Sequence, residues 1–272
     1  MAIIEQSWGW EKPPLGAMLN LSHPLANGLV GRWLFNEHSG GTVYDLSGNN
    51  YHGTLTGAPT WSAGPTGQVL AFSGTGQYIT APMTFAATGD MSISWRMNPD
   101  STGAGPDYIF SFLAAGSWQT AIWWYPDFNV LRASSNNDAT EAEWTLPASV
   151  EDSWHHWVLL RNAAGTMTLY IDSAVQTATS SASGTPGTAG VSINIGARDG
   201  GGQPFQGKMD DFRVYNRTLT IAELRLLYSQ PFADMVPMSM PFGKTPAAAG
   251  GGFQAAWAQN SNVVWQPGAG IA

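Results

Sequence analysis

Cysteine is absent from the sequence, which excludes disulfide bonds and metal sites built from thiolates. Charged residues make up only 11% of the 272 residues, and the formal net charge is -8. Since nucleic-acid binding needs a basic patch, we expect no nucleic-acid partner. The apolar runs are too short to span a bilayer, and the N-terminus "MAIIEQSWGW" lacks the basic and apolar regions of a signal peptide. We therefore expect no membrane partner and synthesis in a cytoplasm.

Glycine, proline and tryptophan are abundant instead, with 32, 17 and 13 residues. Between residues 28 and 230, segments of alternating apolar and polar residues are separated by turn signals such as "SGNN", "GTG" and "DGGG". This alternation is typical of short antiparallel β-strands; examples are "LVGRWLF", "MSISWRM", "TAIWWY" and "TMTLYID". The sequence predicts an all-β sandwich at 28–230, an extended arm at 1–27 and a low-charge apolar arm at 231–272.

One helix is specified by its ends. Thr220 occupies a predicted N-cap position with Glu223 three residues later, which is the pattern of a capping box. Leu219 and Leu224 flank the cap and form a predicted hydrophobic staple. The helix is expected to continue through "IAELRLLYSQ" until Pro231 ends it.

Four stretches of the chain carry a family resemblance. They are "GLVGRWLFNE" at 28–37, "DLSGNNYHGTL" at 45–55, "WHHWVLLRNAAGTMTLYID" at 154–172 and "GKMDDFRVYNRTLTIAELRLLY" at 207–228. Their content and order are similar to the concanavalin A-like, laminin G-like jelly-roll family. The resemblance implies an antiparallel two-sheet jelly-roll sandwich, with a flatter convex sheet and a curved concave sheet.

The ends of the chain carry a second resemblance. The lead-in "PPLGAMLNLSHPLANGLVGRWLFNE" and the tail "FQAAWAQNSNVVWQPGAGIA" resemble the ends of phage-encoded proteins of this class. In phages, such domains often serve as capsid decorations, head fibres or tail adhesins. This resemblance implies a non-enzymatic accessory protein located in the virion. Its terminal arms would bind other virion proteins or copies of itself.

Asp210 and Asp211 are adjacent in a predicted strand. Alternation places Asp210 on the inward face with Phe212 and Val214, and Asp211 on the opposite face. A buried carboxylate is costly unless it is hydrogen-bonded, paired with a cation or bound to a metal. Asp210 therefore needs a partner.

The family resemblance implies a structural calcium ion as that partner. In relatives, the matching aspartate often helps to bind calcium together with oxygens from the N-terminal strand region. Here the site would comprise Asp210, Asp45, Asn49 and Glu37, since calcium binds six to eight oxygen ligands. The alternative is that Asp210 accepts hydrogen bonds from backbone or tryptophan N–H groups and that "DLSGNN" forms an Asx turn.

Catalytic patterns are incomplete. Laminarinase-type hydrolases share the jelly roll and use carboxylates that alternate on one strand face; Glu141 and Glu143 in "TEAEWTL" match two of them, but the third is missing. The neighbouring His155 and His156 face opposite sides of a strand, so they cannot both bind one metal without distortion. We expect two partly buried sheet histidines, and no enzymatic activity.

Aromatic residues gather in "SWQTAIWWYPDF". Trp123 and Trp124 must point to opposite faces of their strand, so one ring is expected in the core. The other could lie on the concave face and, with Tyr125 and Trp118, stack against a sugar of a host glycan. The alternative is that both rings are covered, one by the opposite sheet and one by a terminal arm or a neighbouring subunit. A tail-associated, carbohydrate-binding adhesin is therefore the alternative function.

The C-terminal arm has an unusual composition. Residues 231–272 contain only two charged residues but many large apolar ones, including Phe253, Trp257 and Trp265. A free disordered tail normally has low hydrophobicity and high charge. We therefore expect these three aromatics to anchor the arm to neighbouring subunits. The alternative is that the arm packs across its own sandwich.

Overall fold

The fold is built almost entirely of short antiparallel strands. The computed structural model describes residues 10–84, 86, 89–102, 105–114, 117–135, 140–181 and 189–236. Within these residues, the strands are β1 (Met18–Leu19), β2 (Leu29–Trp33), β3 (Thr42–Val43), β4 (Gly53–Thr56), β5 (Thr60–Gly64), β6 (Gly67–Ser73), β7 (Tyr78–Ala81), β8 (Met91–Pro99), β9 (Asp107–Ala114), β10 (Ser117–Tyr125), β11 (Val130–Ser135), β12 (Thr140–Thr145), β13 (His155–Arg161), β14 (Met167–Ile171), β15 (Ala174–Val175), β16 (Ser192–Ile195), β17 (Gln206–Tyr215) and β18 (Met235–Val236). The helices are α1 (Ile221–Ser229) and the 3-10 helices Pro24–Ala26, Pro126–Phe128, Ala148–Val150 and Asp199–Gly201.

Two large sheets form the sandwich. Sheet I has the strand order β15-β14-β13-β8-β17-β6-β5, and β2 pairs with the C-terminal half of β17. Sheet II has the order β12-β11-β10-β9-β16-β7-β4-β3. Consecutive strands such as β6, β7 and β8 belong alternately to sheet I and sheet II, so the chain crosses repeatedly between the sheets. The predicted all-β jelly-roll sandwich is confirmed.

Aromatic side chains dominate the core between the sheets. Trp95 of β8 stacks on Trp157 of β13, with 6.3 Å between the ring centroids. Phe110 of β9 in sheet II meets Phe212 of β17 in sheet I edge to face at 5.6 Å. Such pairs bury large apolar areas and add about 0.5–1.5 kcal/mol each beyond area burial. They fix the two sheets against each other.

Helix α1 packs on the outer face of sheet I. The Thr220 side chain accepts a hydrogen bond from the Glu223 amide, and the Glu223 carboxylate accepts one from the Thr220 amide at 2.8 Å. Leu219 and Leu224 are buried in one cluster with Tyr215 of β17. The predicted capping box and helix are confirmed. Within the part of the chain that the structure describes, no helix has the length and apolar content needed to cross a membrane.

The described parts of both terminal arms lie on the chain's own sandwich. β1, from the predicted N-terminal arm, pairs with β18, from the predicted C-terminal arm. Leu25 is fully buried, and Asp234, just before β18, is fully buried against Arg32 of β2. The folded unit therefore extends beyond the predicted limits of 28–230 and includes residues 10–27 and 231–236.

A β-bulge in β17 changes the orientation predicted for Asp210. Met209 and Phe212 both belong to the core between the sheets, so the two residues between them cannot alternate regularly. The register of β17 against β8 shifts after Asp210, and Asp211 has a φ of 44°. Asp210 pairs in register with Arg96, which reaches the helix backbone on the outer side of sheet I. The prediction that Asp210 faces inward with Phe212 is therefore wrong.

Candidate functional site

Asp210 is buried and paired with a lysine from the N-terminal segment. The ammonium group of Lys12 forms an ion pair with one carboxylate oxygen of Asp210, and the Thr66 hydroxyl donates a hydrogen bond to the other. The same ammonium contacts the backbone carbonyl oxygens of Phe35, at 3.2 Å, and Gln68. Burial raises the pKa of Asp210 above its usual value, and the charge of Lys12 opposes that rise.

The other residues expected to bind calcium have separate partners. The Asp45 carboxylate accepts hydrogen bonds of 2.9 Å from the amides of Arg32, Ser47 and Tyr51, which is the behaviour of an Asx turn. One Glu37 oxygen accepts from the Tyr44 amide at 2.8 Å, and the amide nitrogen of Asn49 donates to the Val30 carbonyl at 2.9 Å. Among the residues that the structure describes, no three acidic or histidine side chains form a metal-binding group. The structure does not bring Asp210, Asp45 and Glu37 together as one ligand set.

The adjacent histidines of β13 have different environments. His155 bonds to Asp172 through Nδ1 at 2.6 Å and to Ser153 through Nε2 at 3.0 Å. Its hydrogen bond to Asp172 raises the pKa of His155. The His156 ring is buried, its Nε2 bonds to Ser94 at 2.9 Å, and burial lowers the pKa of His156 to about 3. His155 is partly buried, as expected. His156 is buried more deeply than expected, and its Nδ1 has no hydrogen-bond partner among the described residues.

The two consecutive tryptophans of β10 do point to opposite faces. Trp124 is fully buried in the core between the sheets. Trp123 lies on the outer face of sheet II and stacks on Tyr108 of β9 with a centroid distance of 5.3 Å and an interplanar angle of 14°. Because Trp123 is only 3% exposed, its ring offers no free face to a sugar. The expectation of an exposed tryptophan at this position is not met, and the side chain of Trp118 lies outside what the structure describes.

Aromatic and charged side chains that are exposed or partly exposed lie beside the buried Trp123. The ring centroid of Tyr125, at the end of β10, lies 6.5 Å from that of Phe128, a residue that is 69% exposed. The guanidinium of Arg132, directly opposite Trp123 in β11, lies 5.0 Å from the Tyr125 ring centroid. Its Nε donates to Glu143 of β12 at 2.7 Å. We call Tyr125, Phe128, Arg132 and Glu143 the aromatic platform.

Local structure holds the aromatic platform in place. Pro126 begins a 3-10 turn directly after β10, and Asn129 ends it in the left-handed conformation with a φ of 51°, so the turn carries Phe128 out into solvent. The stacking of Trp123 on Tyr108 joins β10 to the neighbouring strand β9. Alternation in "VLRASS" places Arg132 on the same face of sheet II as its partner Glu143. This alternation is the sequence signal that could have placed Arg132 on the outer face. The pairing of β11 with β10, which brings Arg132 to Tyr125, depends on the strand order.

The aromatic platform has the chemistry of a binding surface. It combines an exposed aromatic ring with hydrogen-bond donors of Arg132 and acceptors of Glu143. Glu141 and Glu143, the two carboxylates compared with those of laminarinase-type hydrolases, share one face of β12. The Glu143 carboxylate forms an ion pair with Arg132. Phe253, Trp257 and Trp265, the predicted assembly residues, lie outside the described residues.

Comparison with solved structures gives similar folds in bacterial toxins. The receptor-binding domain of botulinum neurotoxin C/D mosaic serotype has a TM-score of 0.59 and 13% identity, over 75% of this chain and 51% of that chain. The binding domain of Paraclostridial Mosquitocidal Protein 1 has a TM-score of 0.58 and 18% identity, over 76% and 53%. The binding domain of botulinum neurotoxin DC in complex with SialylT has a TM-score of 0.59 and 16% identity, over 75% and 52%. This chain therefore spans about half the length of each. At these low identities, the structural similarity shows a shared fold and nothing more.

Comparison with protein families gives the assignment. No curated protein matches the sequence. The model of the concanavalin A-like lectin/glucanases superfamily matches residues 73–225, which is more than half of the chain and includes β8 to β17. The chain belongs to the concanavalin A-like lectin/glucanases superfamily.

Proposed function

We propose that the protein is a non-catalytic, glycan-binding jelly roll and that the aromatic platform contacts the sugar. The observation that carries this proposal is the position of Arg132 between the Glu143 carboxylate and the Tyr125 ring, which is itself adjacent to the exposed Phe128 ring. Sugars have apolar C–H faces and polar edges. A binding site for them therefore needs an aromatic surface next to fixed hydrogen-bond donors and acceptors.

The platform supplies both kinds of contact. An exposed phenylalanine remains in water at a cost, and covering it with the apolar face of a sugar ring recovers part of that free energy. Arg132 binds Glu143 through Nε, and its side chain is 35% exposed, so its Nη groups can donate to a ligand. Arginine recognises carboxylates with good geometry, which favours an acidic sugar such as a sialic acid.

The toxin neighbours support the same class of ligand. One similar domain is described in complex with SialylT, and another similar structure is described by the dependence of neurotoxin cell entry on two ganglioside molecules. Both descriptions name glycan ligands. At 16% and 15% identity they support a glycan as the ligand class and do not identify contact residues.

A glycan array followed by titration of the best ligand tests the proposal. We expect Phe128→Ala to weaken binding by roughly fivefold or more, because losing one aromatic contact costs about 1 kcal/mol. The matched control is Tyr44→Ala, since Tyr44 is 50% exposed and meets the His52 ring edge-on outside the platform. Binding that is insensitive to Phe128→Ala, or no binding to any glycan, would contradict the proposal.

We also propose that the protein is an accessory subunit of a phage particle. The resemblance of both chain ends to phage-encoded proteins supports this role. Because residues 10–27 and 231–236 pack on their own sandwich, attachment to other virion proteins or to further copies falls to residues 1–9 and 237–272. Immunogold labelling of purified particles tests this proposal. Label on the capsid would indicate a decoration, label on the tail would indicate an adhesin, and absence of label would refute it.

A further inference from the structure

The surroundings of Lys12 are those of a bound cation. Its side chain is 4% exposed, and its ammonium contacts one carboxylate and two backbone carbonyl groups, from Asp210, Phe35 and Gln68. All three contacts are made through oxygen. Hard metal ions such as calcium use this ligand type, with carboxylates and backbone carbonyls in one shell.

The backbone around the ammonium is adapted to it. Phe35 has a φ of 54°, although its side chain is large and fully buried, and its carbonyl is one of the ligands. A non-glycine residue in this region is strained by about 1–3 kcal/mol and persists only where the surroundings impose it. The Lys12 amide also donates to the Thr66 carbonyl at 2.9 Å, which holds the backbone of the N-terminal segment beside the cage.

A second buried carboxylate lies nearby. Glu37 is 9% exposed, and its Oε2 is a buried atom with no hydrogen-bond partner among the described residues. Burial raises the pKa of Glu37, and the charge of Lys12 is among the influences that lower it. The Lys12 ammonium therefore forms an ion pair with Asp210 and also acts electrostatically on a second buried carboxylate, that of Glu37.

We propose that Lys12 is a tethered cation that occupies an oxygen-lined cation site and replaces a metal ion there. Calcium, which the family resemblance implies, does not fit this chain while the Lys12 ammonium fills the space beside Asp210. Asp45 and Asn49 do not complete a shell, because their side chains are hydrogen-bonded within the 45–50 turn and to β2. The folded state is thus independent of calcium, and the same contact fixes the N-terminal segment on the sandwich.

Shortening Lys12 should convert the cage into a metal site. A cavity of about 240 Å³ opens beside Lys12 and is lined in part by Asn36, Thr66 and Gln68, so an ion has a path from solvent. Calorimetric titration with CaCl₂ and thermal melts in CaCl₂ or EDTA would be carried out on the full chain. The variants are Lys12→Ala, Lys12→Met and the double variant Lys12→Ala with Asp210→Asn.

The expected results differ among these proteins. The wild type binds no calcium and has the same melting temperature in CaCl₂ and EDTA. Lys12→Ala melts at a lower temperature in EDTA, binds calcium with one-to-one stoichiometry and regains stability as the concentration rises, by mass action. Lys12→Met is destabilised without responding to calcium, because its long side chain still fills the cage. The double variant does not respond, because the carboxylate is absent.

Three results would overturn the proposal. The first is calcium binding by the wild type that Asp210→Asn abolishes, since a metal would then displace the lysine. The second is a folded Lys12→Ala variant that ignores calcium, which would make the contact a simple ion pair. The third is a Lys12→Ala variant that does not fold in EDTA and does not recover a cooperative melt in CaCl₂. Recovery of that melt in CaCl₂ would instead support the proposal that Lys12 replaces a metal ion.

Discussion

Replacing Asp234 with Asn removes one negative charge from a buried cluster of four charged groups. Asp234 Oδ2 lies 2.7 Å from Arg32 Nη1 and 3.3 Å from Arg213 Nη1. The second carboxylate, Asp211, lies 2.7 Å from Arg213 Nη2 and 3.5 Å from Arg32 Nε. The two arginines and Asp234 are fully buried, and the Asp211 side chain is 5% exposed. The cluster is neutral in the wild type and would carry one net positive charge in the variant.

The expected loss follows from burial. Removing one partner of a buried ion pair leaves a charge that neither water nor protein compensates, and this typically destabilises a protein by about 3–5 kcal/mol. A domain of ordinary stability has about 5–15 kcal/mol in total, so the variant should unfold at a much lower denaturant concentration. Asp234 also ties residues 231–236 to β2, so the same variant should release β18 from β1.

Urea unfolding of the wild type and Asp234→Asn measures this loss. The matched control is Asp199→Asn, because Asp199 also lies 2.7 Å from an arginine, Arg198, but these side chains are 29% and 39% exposed. Exposed pairs contribute about 0–1 kcal/mol, so the control should unfold almost as the wild type does. A loss of about 1 kcal/mol or less in Asp234→Asn would show that burial does not strengthen this ion pair, because the buried and exposed pairs would then be equivalent.

Three further predictions concern pH, assembly and catalysis. The hydrogen bond to Asp172 raises the pKa of His155 above 6.5. The stabilisation that protonated His155 gives the folded state is therefore complete below pH 6.5, and it is lost as the pH rises through the raised pKa. NMR titration should show that pKa returning toward 6.5 in Asp172→Asn, and an unchanged value would contradict the assignment. Deleting residues 245–272 should leave the melting temperature near that of the wild type but abolish incorporation into particles or oligomers; unfolding or aggregation would show that the arm belongs to its own core. Incubation with laminarin should release no reducing sugar, and release by the wild type but not by Glu141→Gln with Glu143→Gln would demonstrate hydrolysis.

Local patterns were sufficient to predict the helix and many of the strands, but not β4, β5 or β11. Period-two alternation identified segments such as β8 and β14, and the Thr220–Glu223 capping box located the start of α1. These signals are readable because each depends on residues close together in sequence. Strand order and pairing depend on contacts between distant segments, which periodicity does not specify. The family resemblance implied the two-sheet jelly roll without giving the order of its strands.

The environment of Asp210 was not predictable from local patterns. A regular strand would alternate through β17, but the bulge at Asp211 inserts an extra residue and reverses the phase. The partner of Asp210 is Lys12, near the other end of the chain, in a segment without regular alternation. Local alternation indicated that a carboxylate in this strand needs a partner, but local patterns could not identify Lys12 as that partner.

The aromatic platform was predicted in part. The sequence singled out "WWY" because consecutive tryptophans must face opposite ways, and one of them is in the core. Burial of Trp123 by Tyr108 depends on the register between β10 and β9, which the sequence does not specify. Arg132 and Glu143 join the site through pairing of β10, β11 and β12, and for the same reason strand order had to be known first.

Chemical-shift mapping would show whether the aromatic platform binds a glycan. Amide and side-chain resonances of the full chain would be followed while the best glycan from the array is added. We expect the largest shifts at Phe128, Arg132 and Glu143, and negligible shifts at Tyr44 and His52, which form the exposed aromatic pair outside the platform. Shifts centred on Tyr44 and His52, with Phe128 and Arg132 unchanged at saturation, would contradict this expectation.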